Sequence, residues 1–251
     1  MIQLENVCFA LADREILTQL SFTVPAGQTY VLLGPSGCGK STVLRLVMGL
    51  IKPTSGRILI NGVPLDEEKN RPGGPTRGMV FQSSALFDFL SVYENIALGL
   101  RKKGRLSEAE IKDRVRQELD HVGLGDDPAL LTKSPAELSG GMRKRVAIAR
   151  TLALDPKIIL YDEPTTGLDP IMANIINDLI RRVHQRLKVT SLLVTHDLNT
   201  ALRVADEVGF LYQGKIMESG SARTILEKAG PLLRQFINGH LAGPISVNGG
   251  G

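Results

Sequence analysis

The sequence predicts an α/β fold in which a parallel sheet carries helices and a separate helical block interrupts the sheet. Short runs rich in Val, Ile and Leu fill residues 1–82 and recur after residue 157, each bounded by Gly, Pro or Asn. A helical pattern follows a strand pattern in both regions, which favours parallel strand order. Between residues 83 and 156 the apolar residues instead repeat at helical spacing.

The first region is predicted to contain five strands and one helix. The strands are Ile2–Val7, Ile16–Val24, Thr29–Leu33, Arg57–Ile60 and Gly78–Phe81. The helix, Lys40–Leu50, directly follows a Gly-rich loop. The polar segment Glu67–Arg77 has no hydrophobic periodicity and is predicted to be a loop.

The central block is predicted to be helical because Ser91, Ser107 and Ser134 are each followed three residues later by Glu. In such a capping box, the hydroxyl and the carboxylate satisfy free amides of the first turn. A further helix, Gly140–Leu154, precedes the Asp-Pro pair at 155–156.

The last region alternates strands and helices again. Its predicted elements are strand Lys157–Tyr161, helix Pro170–Leu187 capped by Asp169, strand Thr190–Thr195, helix Leu198–Ala205, hairpin Val208–Glu218, two short helices within Ser221–Gly239 and a flexible tail at Val247–Gly251.

Composition and charge exclude several classes of protein. The 251 residues are 43% apolar and 22% charged, which excludes disordered, collagen-like and coiled-coil chains. A net charge of 30 − 26 = +4, spread along the chain, gives no reason to expect a nucleic-acid partner. The longest stretch without charge, residues 16–39, is broken by Pro and Gly, so we expect no membrane span. The absence of a signal-peptide pattern, and two cysteines without disulfide spacing, predict a cytoplasmic protein.

The Gly-rich loop carries the clearest chemical signal. Its residues Gly34, Pro35, Ser36, Gly37, Cys38, Gly39, Lys40 and Ser41 match G-x-x-x-x-G-K-[ST] between a predicted strand and a predicted helix. Glycines let backbone amides surround phosphate oxygens, and the helix presents its positive end. We expect Lys40 to reach the β and γ phosphates, Ser41 to bind Mg²⁺, and Thr42 to approach the α phosphate.

Two adjacent carboxylates supply what a nucleotide site still needs. Asp162 and Glu163 follow the apolar strand Lys157–Tyr161. Asp162 is predicted to hold the Mg²⁺ shell, and Glu163 to orient or deprotonate the attacking water. A second anion-binding helix start is predicted at Ser139, Gly140 and Gly141, since Ser is a natural N-cap and the glycines leave the first amides open.

Together these motifs resemble the ATP-binding cassette (ABC) transporter ATPases, whose motifs occur here in the family order from Met1 to about Gly220. They are Walker A at Gly34–Ser41, the Q-loop Gln82, the signature at Leu138–Met142, Walker B at Ile158–Asp162 with Glu163, the D-loop at Thr166–Asp169 and the switch His196. The resemblance implies a P-loop NTPase with a RecA-like core (1–82 and 157–220) that includes an antiparallel β subdomain, a helical subdomain (83–156) and a C-terminal tail (221–251).

The resemblance also implies a mechanism. Two copies pair head to tail, and each ATP lies between Walker A of one copy and Ser139, Gly140, Gly141 and Asp169 of the other. Gln82 contacts Mg²⁺ or water, and His196 contacts the γ phosphate. A separate membrane permease receives the cassette, through Leu86, Phe87, Phe89 and Leu90 if these do not simply fill the helical core. The protein would then lie on the cytoplasmic face of the inner or plasma membrane.

The sequence departs from the family pattern at two positions. Leu11 stands where an adenine-stacking aromatic is usual, so we expect poor discrimination between ATP and GTP unless Phe9 or Ile16 compensates. Met142 replaces the usual Gln of the signature and cannot supply its hydrogen bonds.

Met142, the run Phe81–Phe87 and the tail around Phe236–Pro244 are similar to the Mla/Mkl-type branch, which moves lipids with permeases and MCE-domain lipid-binding proteins. In that branch the tail is implicated in subunit contacts, so Pro231–Pro244 is either a dimer contact or a loosely packed terminus. Two alternatives stay open: an importer ATPase for amino acids or another small solute, and a non-transport ABC ATPase.

Overall fold

A computed structural model of the chain describes residues 1–68 and 76–245. In chain order the strands are β1 (Ile2–Leu11), β2 (Arg14–Val24), β3 (Thr29–Leu33), β4 (Ser55–Ile60), β5 (Val63–Pro64), β6 (Arg77–Val80), β7 (Ile158–Asp162), β8 (Thr190–Thr195), β9 (Glu207–Tyr212) and β10 (Lys215–Ser221). The helices are α1 (Lys40–Met48), α2 (Leu65–Glu68), α3 (Val92–Lys103), α4 (Glu108–His121), α5 (Gly140–Leu152), α6 (Pro170–Leu187), α7 (Leu198–Val204) and α8 (Pro231–Asn238).

The chain divides into two compact units, unit 1 (Met1–Pro72 with Thr190–Gly251) and unit 2 (Gly73–Val189). Unit 1 contains an antiparallel sheet in the order β2-β1-β4-β5. It also contains the strand order β10-β9-β3-β8, in which β3 runs parallel to both β8 and β9. Every residue of β3 is buried, as expected for a strand covered on both faces.

Unit 2 pairs β6 with β7 in parallel. Helix α5 packs on β6 and also on α3, α4 and α6. Apolar side chains along α5, among them Val146, Ile148 and Leu152, are buried. Among the described residues, no helix is both long and apolar enough to cross a bilayer.

The predicted α/β class is confirmed, and several elements match to the residue: β3, α6 and β8. The serine hydroxyls cap α3 and α4, with Ser91 accepting from Glu94 N and Ser107 from Glu110 N. The complete capping box, in which the carboxylate also accepts from the N-cap amide, forms at Ser107 with Glu110. The hydroxyl and amide of Ser134 both donate to the Glu137 carboxylate, but the helix there is only a 3₁₀ turn, Pro135–Glu137.

Other boundaries were wrong. Strand β1 extends to Leu11 because pairing with β2 continues through bulges as far as Leu11 opposite Arg14. Residues 222–228 form successive turns and not a helix, so the predicted range Ser221–Gly239 contains one helix, α8, in place of two. Leu65–Glu68 forms one helical turn, whereas the rest of the loop predicted there up to residue 75, and the tail predicted at 247–251, lie outside the described residues. The subdomain boundaries suggested by the resemblance stay a prediction.

Candidate active site

The loop Gly34–Gly39 in unit 1 joins β3 to the first turn of α1. Gly39 is the N-cap of α1 and has φ 106°, a conformation that side chains disfavour. A Cβ at Gly39 would also lie 2.8 Å from Leu17 Cδ2. The loop therefore needs glycine here to turn its backbone into the helix, whose first amides and positive dipole end suit a phosphate group.

Lys40 is buried at the start of α1, and its ammonium is held by the loop itself. Nζ donates to the carbonyl oxygens of Gly34 at 2.8 Å and Pro35 at 2.9 Å. Ser41 and Thr42, which follow on the same turn, are half-buried. The cation and the two hydroxyls predicted to bind nucleotide thus occupy one helix start.

His196 lies at the same edge of unit 1 as this loop. The amide of Gly34 donates to the carbonyl oxygen of Thr195 at 3.3 Å, and His196 follows Thr195 with an exposed side chain. Because parallel strands β3 and β8 end side by side, the histidine and the loop begin at the same edge of the sheet. The contact between His196 and the γ phosphate stays a prediction.

The two candidate adenine contacts, Ile16 and Leu11, differ in their surroundings. The Ile16 carbonyl oxygen lies 3.3 Å from the Cβ position of Gly39, which brings Ile16 against the start of α1. Leu11 lies at the end of β1, next to the β1–β2 turn, and is 66% exposed. A contact between Leu11 and the base stays a prediction.

In unit 2, Gln82, Asp162 and Glu163 lie at the ends of two neighbouring parallel strands: Asp162 is the last residue of β7, Glu163 follows it, and Gln82 follows β6. Val80 pairs with Tyr161, so β6 and β7 end at the same level. Asp162 and Glu163 are 8% and 7% exposed, and Thr166 Oγ1 donates to Glu163 Oε2 at 3.3 Å. Glu163 itself has φ 45°, which marks a tight turn directly after the strand. The predicted metal ligand and the predicted base therefore occupy consecutive backbone positions at this turn.

Sequence reasoning missed two cations of α5 that bind backbone carbonyls of residues 82–85, here called the Gln82 segment. Lys144 is 5% exposed, and its ammonium donates to the carbonyl oxygens of Gln82 and, at 3.5 Å, Glu163. Arg150 donates to the carbonyl oxygens of Ala85 at 2.7 Å and Ser84 at 3.0 Å. A signal for Lys144 existed, because it shares helical spacing with the buried side chains of Ile148 and Thr151.

Burial lowers the pKa of Lys144, while the negative charges of Asp162 and Glu163 oppose that shift. Burial also lowers the pKa of Arg150. Both effects indicate cations withdrawn from water, whose charges are compensated by backbone carbonyls and, for Lys144, by the two carboxylates.

The residues predicted to act on the partner's nucleotide come together on unit 2. Ser139 caps α5, its hydroxyl accepting from Met142 N at 3.3 Å, as predicted. Asp169 caps α6, accepting from Met172 N at 3.0 Å. A Cβ at Gly141 would meet the Met172 methyl, so the starts of the two helices touch. Ser139 and Asp169 are exposed, which leaves the α5 start open to a second molecule.

The candidate Mg²⁺ ligands fit that ion chemically. Among the described residues, no group of three or more His, Cys, Asp or Glu side chains is placed to hold a metal. Ser41, Gln82 and Asp162 offer a hydroxyl, an amide and a carboxylate, all hard oxygen donors. Mg²⁺ in phosphoryl-transfer sites is bound by one or two carboxylates, by substrate phosphates and by water. The donor set suits an ion delivered with nucleotide.

An apolar loop, Leu86–Leu90, follows the Gln82 segment. Phe87 and Phe89 are 42% and 83% exposed, and their ring centroids lie 5.7 Å apart. The buried Asn95 fixes the loop: its Oδ1 accepts from Phe87 N at 2.8 Å, and its Nδ2 donates to the carbonyl oxygens of Phe87 and Leu90, both at 3.1 Å. A loop that is hydrogen-bonded to a buried side chain and exposes two neighbouring aromatic rings is typical of a docking surface.

The C-terminal segment is packed along helix α8. Leu233 is fully buried, and the Phe236 ring lies 5.3 Å from that of Phe210 in β9. Gln235 exchanges hydrogen bonds with the backbone of Ile245 and donates to the His240 carbonyl. Helix α8 is therefore packed against β9, whereas residues 238–244 are exposed, with Leu241 87% exposed. The role of Pro231–Pro244 as a dimer contact stays a prediction.

Comparison with known proteins identifies the family of this chain and several of its relatives. The model of the ABC transporter family matches residues 17–166. The chain is 39% identical over 250 residues to the probable ribonucleotide transport ATP-binding protein mkl of Mycobacterium tuberculosis, covering 98% of this chain and 69% of that protein. It is 38% identical over 248 residues to the intermembrane phospholipid transport system ATP-binding protein MlaF of Haemophilus influenzae, covering 98% and 93%.

Two further matches are an import ATP-binding protein and a solved cassette structure. The sulfate/thiosulfate import ATP-binding protein CysA of Acinetobacter baylyi is 41% identical over 240 residues, covering 94% of this chain and 67% of that protein. The ATP-binding cassette MJ0796, solved as a dimer bound to ADP and Pi, matches with a TM-score of 0.79 and 32% identity, covering 89% and 99%. The resemblance to ABC ATPases and to the Mla and Mkl branch is thereby confirmed. The chain belongs to the ABC transporter family and is an ATP-hydrolysing cassette of the kind coupled to transport.

Proposed function

We propose that two copies of this chain dimerise around two Mg-ATP and power lipid transport, with phospholipid as the cargo, through a separate membrane permease. The observation that carries the lipid assignment is the 38% identity to MlaF, which spans nearly the full length of both chains. The signature residue Met142, typical of that branch, supports the same assignment. An MCE-domain lipid-binding protein would complete the system.

Hydrolysis in this proposal depends on positioning and on charge. The helix start at Lys40 binds the phosphates, and Glu163 orients or deprotonates the attacking water. Gln82 and His196 contact the reacting end of the nucleotide. Mg²⁺, bound with ATP through Ser41, Gln82 and Asp162, would neutralise phosphate charge.

The dimer would complete each nucleotide site with a second copy. Exposed Ser139 and Asp169, together with half-buried Gly140 at the start of α5, support a role for this surface against the partner's nucleotide. Gly141, which was predicted to contribute an open amide, is buried against Met172. The C-terminal residues Pro231–Pro244 would add a subunit contact, and exposed Leu241 is a candidate for it. A Leu241→Glu variant that dimerises normally would remove the tail from this role.

The permease would bind the exposed loop Leu86–Leu90. Its two exposed phenylalanines, and the hydrogen bonds by which Asn95 holds the loop, suit an apolar helix end, because aromatic residues commonly dominate binding energy at interfaces. Attachment to the permease would hold the protein at the cytoplasmic face of the membrane.

One alternative has an observation in its favour. The 41% identity to CysA supports an importer ATPase for a small solute. Affinity purification of the tagged chain from native membranes, with identification of co-purified proteins and lipids by mass spectrometry, separates the two. Our proposal expects a permease, an MCE-domain protein and bound phospholipid. A permease with a soluble solute receptor and no MCE-domain protein would contradict lipid transport and favour the importer.

A further inference from the structure

Lys144 is a buried cation inside unit 2. It lies on α5, five residues after the N-cap Ser139, and is 5% exposed. The aliphatic Val146 and Ile148 that follow it on α5 are buried as well. Burying an ammonium is costly unless it is compensated, so its partners decide what it does.

Those partners are two backbone carbonyls from two different turns. The ammonium donates to the Gln82 carbonyl, which lies two residues beyond the end of β6. It also donates at 3.5 Å to the Glu163 carbonyl, one residue beyond the end of β7. The Lys144 side chain thereby connects the turn that carries Gln82, the proposed Mg²⁺ ligand, with the turn that carries Glu163, the proposed base.

Both turns are shaped by more than local preference. Glu163 has φ 45°, and Ser84 and Ala85, which follow Gln82, have φ 67° and 46°. Non-glycine residues in this region are held by surrounding contacts. Arg150, two turns further along α5, holds the carbonyls of Ser84 and Ala85. Helix α5 thus holds the backbone of residues 82–85 through Lys144 and Arg150, and the turn at Glu163 through Lys144.

Charge strengthens the connection. The carboxylates of Asp162 and Glu163 attract the Lys144 ammonium. The cation therefore compensates two adjacent negative charges at the end of β7 as well as fixing the backbone.

We propose that Lys144 is a positioning residue for ATP hydrolysis. Because its ammonium binds the carbonyls of both Gln82 and Glu163, it fixes the positions of these two side chains relative to each other and to helix α5. The inference rests on the proposed roles of Gln82 and Glu163. Lys144 touches neither nucleotide nor water in this scheme, and its effect passes through the two turns.

The test compares Lys144→Met, which keeps the length and apolar stem of the side chain, with Lys144→Arg, which keeps the charge and the donors. Steady-state ATPase kinetics, binding of a fluorescent ATP analogue and thermal unfolding are measured for each. For Lys144→Met we expect kcat to fall about 10- to 100-fold, the cost of a small misplacement of reacting groups, with analogue affinity within about twofold of wild type. Lys144→Arg should recover most of the lost kcat.

Lys112→Met is the control, because Lys112 is an exposed lysine of α4 in the same unit. It should leave kcat unchanged. If Lys144→Met does not fold, Lys144→Gln, which keeps a polar side chain, takes its place with the same expected loss. A kcat near wild type for the folded variant would overturn the inference. A parallel fall in kcat and nucleotide affinity, unrelieved by Arg, would overturn it too, since that result marks a purely structural lysine.

A Glu163→Gln arm separates this inference from the proposal beneath it. If Glu163→Gln keeps its activity, the assignment of the base fails, whatever Lys144 does. If Glu163→Gln is inactive while Lys144→Met is fully active, only the role of Lys144 fails.

Discussion

Gly34 lies so close to the backbone carbonyl of Leu211 that a methyl group at position 34 would overlap it. The same methyl would lie 3.1 Å from Cys38 Sγ. The first glycine of the phosphate-binding loop is therefore required by packing against β9, and not only by the phosphates it is expected to hold.

Gly34→Ala should lower the free energy of unfolding by ~3 kcal/mol, because a backbone carbonyl cannot move aside as a side chain can. Urea unfolding followed by circular dichroism measures this. Gly37→Ala is the matched control in the same loop: it has φ 79° and no atom near its Cβ position, so only the backbone strain of about 1 kcal/mol applies. Equal losses for the two variants would contradict the packing argument.

Lys40→Ala should weaken ATP binding about 10- to 100-fold, since charge-assisted hydrogen bonds to phosphate are each worth ~1.5–3 kcal/mol. Isothermal titration calorimetry with ATP gives the affinity directly. Lys52→Ala, at an ammonium whose side chain is 81% exposed, should leave it unchanged. An affinity within twofold of wild type for Lys40→Ala would remove this lysine from the site.

Leu11→Tyr should raise ATP affinity about 10-fold, within the ~1–3 kcal/mol that base stacking on an aromatic provides. The wild-type protein should distinguish ATP from GTP poorly. Competition binding of the two nucleotides tests both statements, with Leu50→Tyr as a control at another exposed leucine. A strong ATP preference in the wild type would show that another residue, such as Ile16, already holds the base.

Phe89→Ser should leave thermal stability and nucleotide binding of the isolated chain unchanged, because the ring is 83% exposed. Recovery of the permease in affinity purification should fall at least 10-fold, as expected for loss of an aromatic anchor. Leu226→Ser, an exposed leucine of unit 1, is the control. Undiminished permease recovery with Phe89→Ser would place the docking surface elsewhere.

The sequence allowed much of the fold and the motif positions to be predicted, because the signals were local. The 18-residue helix α6 has an Asp169 cap, a Pro at its start and a continuous apolar stripe, and its bounds were predicted to the residue. The loop Gly34–Ser41 was recognisable because its residue types meet the needs of a phosphate at fixed spacing.

Features that depend on distant partners were missed. The extension of β1 to Leu11 depends on bulged pairing with β2, which local hydrophobicity does not reveal. The contact from Lys144 to Gln82 spans 62 positions in sequence, and that from Arg150 to Ala85 spans 65. A buried cation can be suspected from its place on an apolar helix face, but its acceptors are set by the tertiary fold.

The central claim is that nucleotide joins two copies of the chain, and sedimentation velocity of Glu163→Gln with and without Mg-ATP tests it most directly. This variant should hydrolyse ATP about 10²- to 10⁴-fold more slowly if Glu163 is the base, while still binding it. We predict a monomer without nucleotide and a dimer with Mg-ATP, and a monomer in both conditions once Ser139→Arg blocks the α5 start. A Glu163→Gln protein that binds Mg-ATP yet stays monomeric, even together with its permease, would contradict the account.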